Sequence, residues 1–251
     1  AVEHVAYWHY AHSYVRGNWR RSEETSPMIL AKSCHDMDIL RWLAGERCLK
    51  VQSFGALDYF KPEHAPQGAA LRCLDSCACK DSCPYDAEKI YISNARSGLR
   101  SVGKGWPCSV LVSDPTEESV YEALRTGPYG RCVYHSDNDV VDHQTVNMEF
   151  ENNITVTFTM TAFTETCHRI IKVTGTLGDV EGDMEENKFY LHRFGQPEQV
   201  IDLGSTSNEF AGHGGGDMGM MEYVCDLMAA GGIDGLTSVD ASVESHVMPL
   251  A

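Results

Sequence analysis

One short stretch of the chain carries a high density of ionisable side chains: Lys32, His35, Asp36 and Asp38. On a helix, spacings of three and four residues put Lys32, His35 and Asp36 on one face, with Asp38 about one turn beyond His35. Imidazole titrates near neutral pH, so it can act as a general acid or base when a neighbouring group fixes its tautomer. This face could therefore carry out proton transfer.

The residues around this face predict a helix over residues 26–45. Ser26 can accept hydrogen bonds from the first free amides, and Pro27 suits the first helical position. Gly45 can adopt the left-handed conformation that ends a helix. The opposite face is apolar and carries Leu30, Cys34, Met37 and Leu40.

Composition excludes several classes of function. The chain has 251 residues, 43% of them hydrophobic, and a formal net charge of −16, so it can bury a core but would repel nucleic acid or an anionic membrane surface. No apolar run is long enough to span a bilayer, and the first residues lack the pattern of a signal peptide. We therefore expect a cytoplasmic protein, and the abrupt apolar ends suggest a piece of a longer one.

The first half of the chain predicts strands and helices around a cysteine-rich insertion. We expect strands over residues 2–8 and 50–60, and an insertion over residues 61–107 that lies on the surface with one short helix near 87–92. A further helix should begin at Asp114, with Glu117 at the reciprocal capping position, and end at Gly127.

The second half predicts antiparallel strands. Residues 140–150, 154–163, 169–175 and 188–194 are rich in Val, Ile, Thr and Phe, and Asn152 and Asn153 predict a tight turn between the first two. Helices should follow at 217–230 and from about Ser238 onward. The glycine-rich segment 212–217 does not follow a strand of a βαβ unit, so the chain alone should not bind a dinucleotide.

Several of these segments together resemble the C-terminal domain of the Gfo/Idh/MocA oxidoreductases. The resemblance lies in Lys32-Ser-Cys-His35-Asp-Met-Asp38, the hairpin ending in Phe163, the strand and turn at 169–178, and the closing glycine-rich loop and helices. It implies an α/β (α+β) domain over residues 1–251, with a large open, mainly antiparallel sheet and helices packed on one face. It also implies NAD or NADP bound mainly by a missing N-terminal Rossmann domain, and a homodimer or homotetramer formed through the sheet face.

The resemblance also implies catalytic residues. His35 matches the position of the family's active-site histidine. The family commonly has an aspartate four residues earlier, where this chain has Ala31, so Lys32 or Asp38 could take over part of that role. The implied substrate is a sugar, inositol or related polyol.

Two polar clusters are candidates for the substrate pocket. Residues 12–20 supply His12, Arg16 and Trp19, and Tyr129 and Arg131 could approach the same pocket from the sheet. Aromatic rings and hydrogen-bond donors suit sugars, and Arg16 could also bind a carboxylate or phosphate. Equally, Trp19 could pack in the core while the arginine lies in water.

Four closely spaced cysteines predict a metal site in the insertion. Cys73, Cys77, Cys79 and Cys83 could surround one tetrahedral ion, with structural zinc the first candidate and an iron–sulfur cluster the second. Cys79 is the least secure ligand, and the candidates to replace it are His64, Cys108 and Cys132. Ordinary reduced cysteines remain the simpler alternative.

Two other functions remain open at this point. One is a metal-stapled structural or dimerisation domain without redox activity, which the alanine at position 31 favours. The other is a glycoside hydrolase that uses the dinucleotide without net redox change. The leading hypothesis is the substrate half of an NAD(P)-dependent sugar or polyol dehydrogenase, inactive as this fragment alone.

Overall fold

The computed structural model of the protein describes residues 1–203, 216–232 and 238–250. Its centre is an eight-stranded sheet in the order β2-β3-β4-β1-β5-β6-β7-β8. β1 pairs with β4 in parallel, and every other neighbouring pair of these strands is antiparallel. The strands are β1 (Val2–Ala6), β2 (Cys48–Ala56), β3 (His143–Phe150), β4 (Thr155–Thr164), β5 (His168–Gly175), β6 (Gly178–Asp183), β7 (Lys188–Arg193) and β8 (Gln199–Asp202).

Helices occupy the segments between the strands. The α-helices are α1 (Tyr7–Tyr10), α2 (Met28–Ala31), α3 (Cys34–Ala44), α4 (Leu99–Val102), α5 (Cys108–Leu111), α6 (Glu117–Thr126), α7 (Gly216–Ala229) and α8 (Val239–Val247). Two π-helices cover Ala11–Arg16 and Lys89–Ser93, and 3₁₀ turns cover Pro62–His64, Pro128–Gly130, Glu151–Asn153 and Met248–Leu250. The predicted α/β fold, an open and mostly antiparallel sheet with helices, is confirmed.

Alternation along β3 and β4 places the core on one face of the sheet. Val146, Met148 and Phe150 of β3 are buried, and so are Phe158 and Met160 of the neighbouring strand β4. The intervening threonines and Asn147 face the other, more polar side. The chain itself therefore covers this apolar row and buries it in the core.

The insertion contributes more to the core than its sequence indicated. Residues 90–92 are almost fully buried, as is Cys108. The short helix expected near residues 87–92 is present, mainly as the π-helix Lys89–Ser93. Its apolar side chains therefore anchor the insertion, while the polar loops around them remain at the surface.

Several predicted boundaries need correction. The helix expected over 26–45 is two helices, α2 and α3, with a break at Lys32 and Ser33. Gly45 ends α3 with φ of 70°, as predicted. α6 begins two residues later than expected, because Thr116 rather than Asp114 accepts the capping hydrogen bond from the Ser119 amide.

The second half of the sheet contains two strands that were not predicted, β6 and β8. β6 is rich in glycine and acidic residues, so it lacks the apolar alternation that predicts a strand. The closing helices α7 and α8 lie close to their predicted positions. Most of the glycine-rich segment 212–217 falls outside the described residues.

No membrane-spanning helix is found in the described part of the chain, since none of its helices is both long enough and apolar enough.

Candidate functional site

His35 lies at the surface near the start of α3, where it separates two clefts. One cleft, of about 450 Å³, continues over Asp38 and Trp42 to Ser242 and His246 on α8. The other, of about 440 Å³, continues over Asp36 and Arg169 to residues 184–187. The imidazole is exposed rather than sealed in the core, so a ligand in either cleft can reach it.

The contacts of His35 differ from those expected. Its Nδ1 lies 3.1 Å from Cys34 Sγ, which can fix the ring orientation. Asp38 lines the same cleft, but the hydrogen bond goes to the neighbouring thiol. Asp38 therefore shares a cleft with His35 without being its hydrogen-bond partner.

The break between α2 and α3 separates Lys32 from His35. Lys32 has φ of −121°, so the helical spacing that would have placed the two side chains on one face is lost. The Lys32 ammonium instead lies 3.2 Å from Glu3 Oε1 on β1, and only 16% of its side chain is exposed. The predicted pairing of Lys32 with His35 on one helix face is therefore wrong.

A buried group of charges, which we call the carboxylate cluster, consists of Glu3, Lys32, Asp36 and Arg169. Arg169 is opposite Glu3 in the β1–β5 register, and its Nε lies 2.6 Å from Glu3 Oε2 and 2.9 Å from Asp36 Oδ1. Burial raises the pKa values of Glu3 and Asp36, and the neighbouring cations oppose that shift. The cluster ties the start of α3 to the middle of the sheet.

His9 lies next to this cluster, although its residue type and spacing did not mark it as a candidate site residue. Its Nδ1 is 3.3 Å from Cys167 Sγ, and its ring contacts Trp106 edge to face at 5.0 Å between centroids. Burial, together with the positive charge of Lys32, lowers the pKa of His9 to about 3, so the imidazole is neutral at physiological pH. The sequence signal for His9 is its position directly after the strand predicted over residues 2–8.

Two of the predicted substrate-binding residues, His12 and Tyr129, are in contact. Their rings stack at 5.0 Å between centroids and 18° between planes, and His12 Nδ1 lies 2.9 Å from the Tyr91 hydroxyl oxygen. Burial lowers the pKa of His12 to about 4. His12 is only 3% exposed, so Tyr129 and Trp106 cover it from the solvent side.

The remaining predicted substrate contacts are dispersed. Arg16 is 1% exposed and donates to the carbonyl oxygens of Arg131 and Tyr85, so it is not open to a substrate. The Arg131 side chain forms an ion pair with Asp137 at 3.2 Å. Trp19 is 40% exposed and contacts the ring of Tyr14, so of the three it is the best placed to contact a ligand.

The four predicted zinc ligands line one small cavity, together with Cys132. Among the described residues, however, no three cysteine, histidine, aspartate or glutamate side chains surround a common point as metal ligands do. The predicted ligand set of Cys73, Cys77, Cys79 and Cys83 is therefore not supported. The Cys79 thiol is turned toward the carbonyl oxygen of Gln67 at 3.2 Å.

The parallel strand pair of the described residues lacks a glycine-rich turn. A phosphate-binding loop normally follows a strand of a parallel sheet and precedes a helix. In this part of the chain the parallel pair is β1 with β4, and β1 leads directly into Tyr7 and Trp8 without a glycine-rich turn.

A comparison with known protein families covers almost the whole chain. The family model of the oxidoreductase family C-terminal alpha/beta domain (Gfo/Idh/MocA) matches residues 1–245. YteT of Bacillus subtilis (strain 168), which is named as an oxidoreductase, is 23% identical over 222 residues, covering 81% of this chain and 48% of its own length.

Solved structures show the same fold. UDP-N-acetylglucosamine 3-dehydrogenase GnnA from Acidithiobacillus ferrooxidans superposes with a TM-score of 0.53 at 10% identity, covering all of this chain and 50% of its own. An oxidoreductase named as NADPH-dependent from Desulfitobacterium hafniense DCB-2 gives 0.53 at 13% identity, with 100% and 51% covered. The chain spans about half the length of these relatives. From the match over residues 1–245, the chain belongs to the Gfo/Idh/MocA oxidoreductase family, of which it is the C-terminal α/β domain.

Proposed function

We propose that this chain is the substrate-binding half of an NAD(P)-dependent dehydrogenase that acts on a sugar, inositol or related polyol. The observation that carries the proposal is the exposed His35 imidazole between two clefts, one of which is also lined by the Arg169 guanidinium. Oxidation of an alcohol removes a hydride and a proton. The cofactor supplies hydride transfer when it is bound, so the domain described here has to handle the proton and hold the substrate.

His35 is the residue that we assign to the proton. The His35 imidazole is exposed and its Nδ1 contacts Cys34 Sγ. Its Nε2 can therefore accept a proton from a substrate hydroxyl. Asp38, on the wall of the same cleft, favours the imidazolium that forms. The positive charges of Lys32 and Arg169, held by Glu3, favour an oxygen that carries developing negative charge.

A group of aromatic rings that begins at His9, beside the carboxylate cluster, suits a sugar or polyol. Trp106 is 44% exposed and Trp19 is 40% exposed, and both belong to the connected group of rings that includes His9, His12 and Tyr14. Binding sites for small polar ligands commonly combine an aromatic wall with a few fixed polar groups. GnnA, which shares the fold, is named as a dehydrogenase of a nucleotide sugar.

The proposal extends to the assembly and its compartment. Exposed apolar side chains on β5 and β8, and in the turns after β5 and β7, suit a homodimer or homotetramer formed through the sheet; they are Val173, Leu177, Phe194, Val200 and Ile201. All ten cysteines are free thiols, which suits a reducing cytoplasm.

Isotope transfer tests the reaction. The full-length protein is incubated with NAD or NADP and a panel of sugars and polyols deuterated at each carbinol carbon, and the reduced cofactor is analysed by mass spectrometry. We expect deuterium in the nicotinamide ring with one substrate of the panel. Cleavage of a glycoside without net cofactor reduction would instead identify a hydrolase. Folded, cofactor-binding protein that turns over no member of the panel would favour a domain without redox activity.

A further inference from the structure

We propose that Cys73, Cys77, Cys83 and Cys132 bind one thiophilic metal ion, with zinc the expected metal, and that this ion fastens the insertion to the segment before β3. The set differs from the run of four cysteines in the sequence because Cys132 replaces Cys79. The site is structural and is separate from the clefts beside His35.

The first support is a cavity between the two segments. All four thiols line one enclosed space of about 20 Å³, which holds about one water-sized sphere. A single ion fits a space of that size, whereas a cluster of several iron and sulfur atoms does not. Four thiolates are a sufficient set for a closed structural zinc site.

The backbone holds Cys73 beside Cys132 although they are distant in sequence. The Cys73 amide donates to the Gly130 carbonyl oxygen at 2.9 Å, and the Cys132 amide donates to the Leu71 carbonyl oxygen at 2.9 Å. These bonds enclose an antiparallel bridge between Arg72 and Arg131. The two thiols are therefore positioned by main-chain pairing rather than by flexible loops.

Backbone amides also face two of the sulfurs. In Cys83-Pro-Tyr85 the Tyr85 amide lies in hydrogen-bonding position to the Cys83 sulfur, and in Cys132-Val-Tyr134 the Tyr134 amide does the same for Cys132. Burial raises the pKa of the Cys83 thiol to about 11 and also raises the pKa of Cys132, and each amide opposes that rise because its hydrogen bond to an ionised sulfur is the stronger one. The same arrangement occurs twice, once on each of the two segments.

The second, independent support is Arg16. Its side chain lines the same cavity, its Nη2 lies 3.5 Å from Cys73 Sγ, and its Nη1 is buried without a hydrogen-bond partner. Among the described residues, Arg16 forms no ion pair with a carboxylate, and its other acceptors are carbonyl oxygens. A buried cation needs a nearby anion.

A metal–thiolate group supplies that anion. Four thiolates carry more negative charge than a divalent ion carries positive charge, so the complex remains anionic beside the guanidinium. On binding, each thiol releases its proton to solvent and its sulfur forms one bond to the metal. In the described part of the chain the thiols do not surround one point as they are placed, so the proposal includes a rotation of each cysteine side chain about its Cα–Cβ bond as the ion binds.

The alternative ligands are engaged elsewhere. Cys79 is turned toward the Gln67 carbonyl oxygen. Cys108 lies 3.3 Å from the Tyr91 carbonyl oxygen in the core, and His64 stacks on the Tyr59 ring. Cys132, by contrast, lines the cavity and is only 7% exposed.

Metal analysis of the full-length protein, purified under reducing conditions and without added metal, tests the assignment. We expect about one zinc ion per chain in the wild type. The Cys132→Ser and Cys73→Ser variants should lose most of it, whereas Cys79→Ser and the exposed Cys225→Ser should retain it. Cobalt substituted into the wild type should show intense sulfur-to-metal charge-transfer absorption that Cys132→Ser lacks.

Three results would overturn the proposal. Folded wild-type protein without bound metal removes the site, and this result does not depend on any variant folding. Iron with acid-labile sulfide assigns a different group to the cavity. Loss of zinc in Cys79→Ser together with full retention in Cys132→Ser rejects the ligand set.

Discussion

The chain buries two guanidinium groups in contrasting surroundings. Arg169 lies in the carboxylate cluster, 2.6 Å from Glu3 and 2.9 Å from Asp36. Arg16, which is more deeply buried, meets carbonyl oxygens and the thiol of Cys73 instead. A buried cation is stable only beside a compensating anion. The carboxylate cluster already supplies that anion to Arg169 through Glu3 and Asp36. The second region requires an anionic group, which we assign to metal-bound thiolates.

The contrast also separates two roles. The carboxylate cluster lies under the exposed His35 and fixes Lys32 and Arg169, so it belongs to the site where we place the chemistry. The cysteine cavity lies between the insertion and the segment before β3, where an ion would join two parts of the fold.

The largest effect is expected for Glu3→Gln. The substitution leaves Lys32 and Arg169 without the carboxylate that both contact, and loss of one partner from a buried ion pair costs about 3 kcal/mol of unfolding free energy. Urea denaturation followed by circular dichroism measures the loss. The matched control is Glu117→Gln, which removes a solvent-exposed ion pair with Arg100 and should lower the unfolding free energy much less than Glu3→Gln does. Equal losses for the two variants would show that the carboxylate cluster contributes no more to the unfolding free energy than an exposed ion pair does.

A smaller effect is expected from pH, through His9 and His12. Their pKa values are lowered to about 3 and about 4, against about 6.5 in an unfolded chain. Between about pH 6.5 and pH 4 the unfolded state therefore binds more protons, so the unfolding free energy falls as the pH falls. Each histidine adds at most about 1.4 kcal/mol per pH unit, and above about pH 6.5 neither adds a slope.

Variants identify the groups responsible for this pH dependence. Lys32, Arg169, His12 and Cys167 face His9, and the positive charge of Arg16 acts on His12. Glu3 and Asp36 have raised pKa values and give a slope of the opposite sign, so each comparison is made between the wild type and one variant. His12→Gln should flatten part of the wild-type slope in urea midpoints measured below about pH 6.5. An unchanged slope would mean that His12 titrates as it does in the unfolded chain.

Much of the fold could be predicted from sequence because its signals are local. Alternation marked β3 and β4, the paired asparagines marked the turn between them, and Gly45 marked the end of α3. β6 and β8 were missed because pairing with neighbouring strands, rather than apolar alternation, defines them. The break at Lys32 was missed because the side chain forms an ion pair with a strand distant in sequence.

The candidate site was predicted less completely. His35 could be located because it lies on a helix with an apolar opposite face. The carboxylate cluster depends on the β1–β5 register, which places Glu3 opposite Arg169, and sequence alone does not give that register. Likewise, Cys132 joins the other thiols through a backbone bridge between distant segments.

The most direct test of the central claim is the turnover of full-length His35→Ala. We expect turnover with NAD or NADP and the oxidisable polyol to fall by at least about 100-fold, because a general acid or base contributes about that much or more. Cofactor affinity and the urea midpoint should stay close to those of the wild type, since His35 is exposed and lies outside the core. His64→Ala, which removes an exposed imidazole that lines neither cleft beside His35, is the matched control and should retain most of the activity. Turnover of His35→Ala equal to that of the wild type would contradict the assignment of proton transfer to this imidazole.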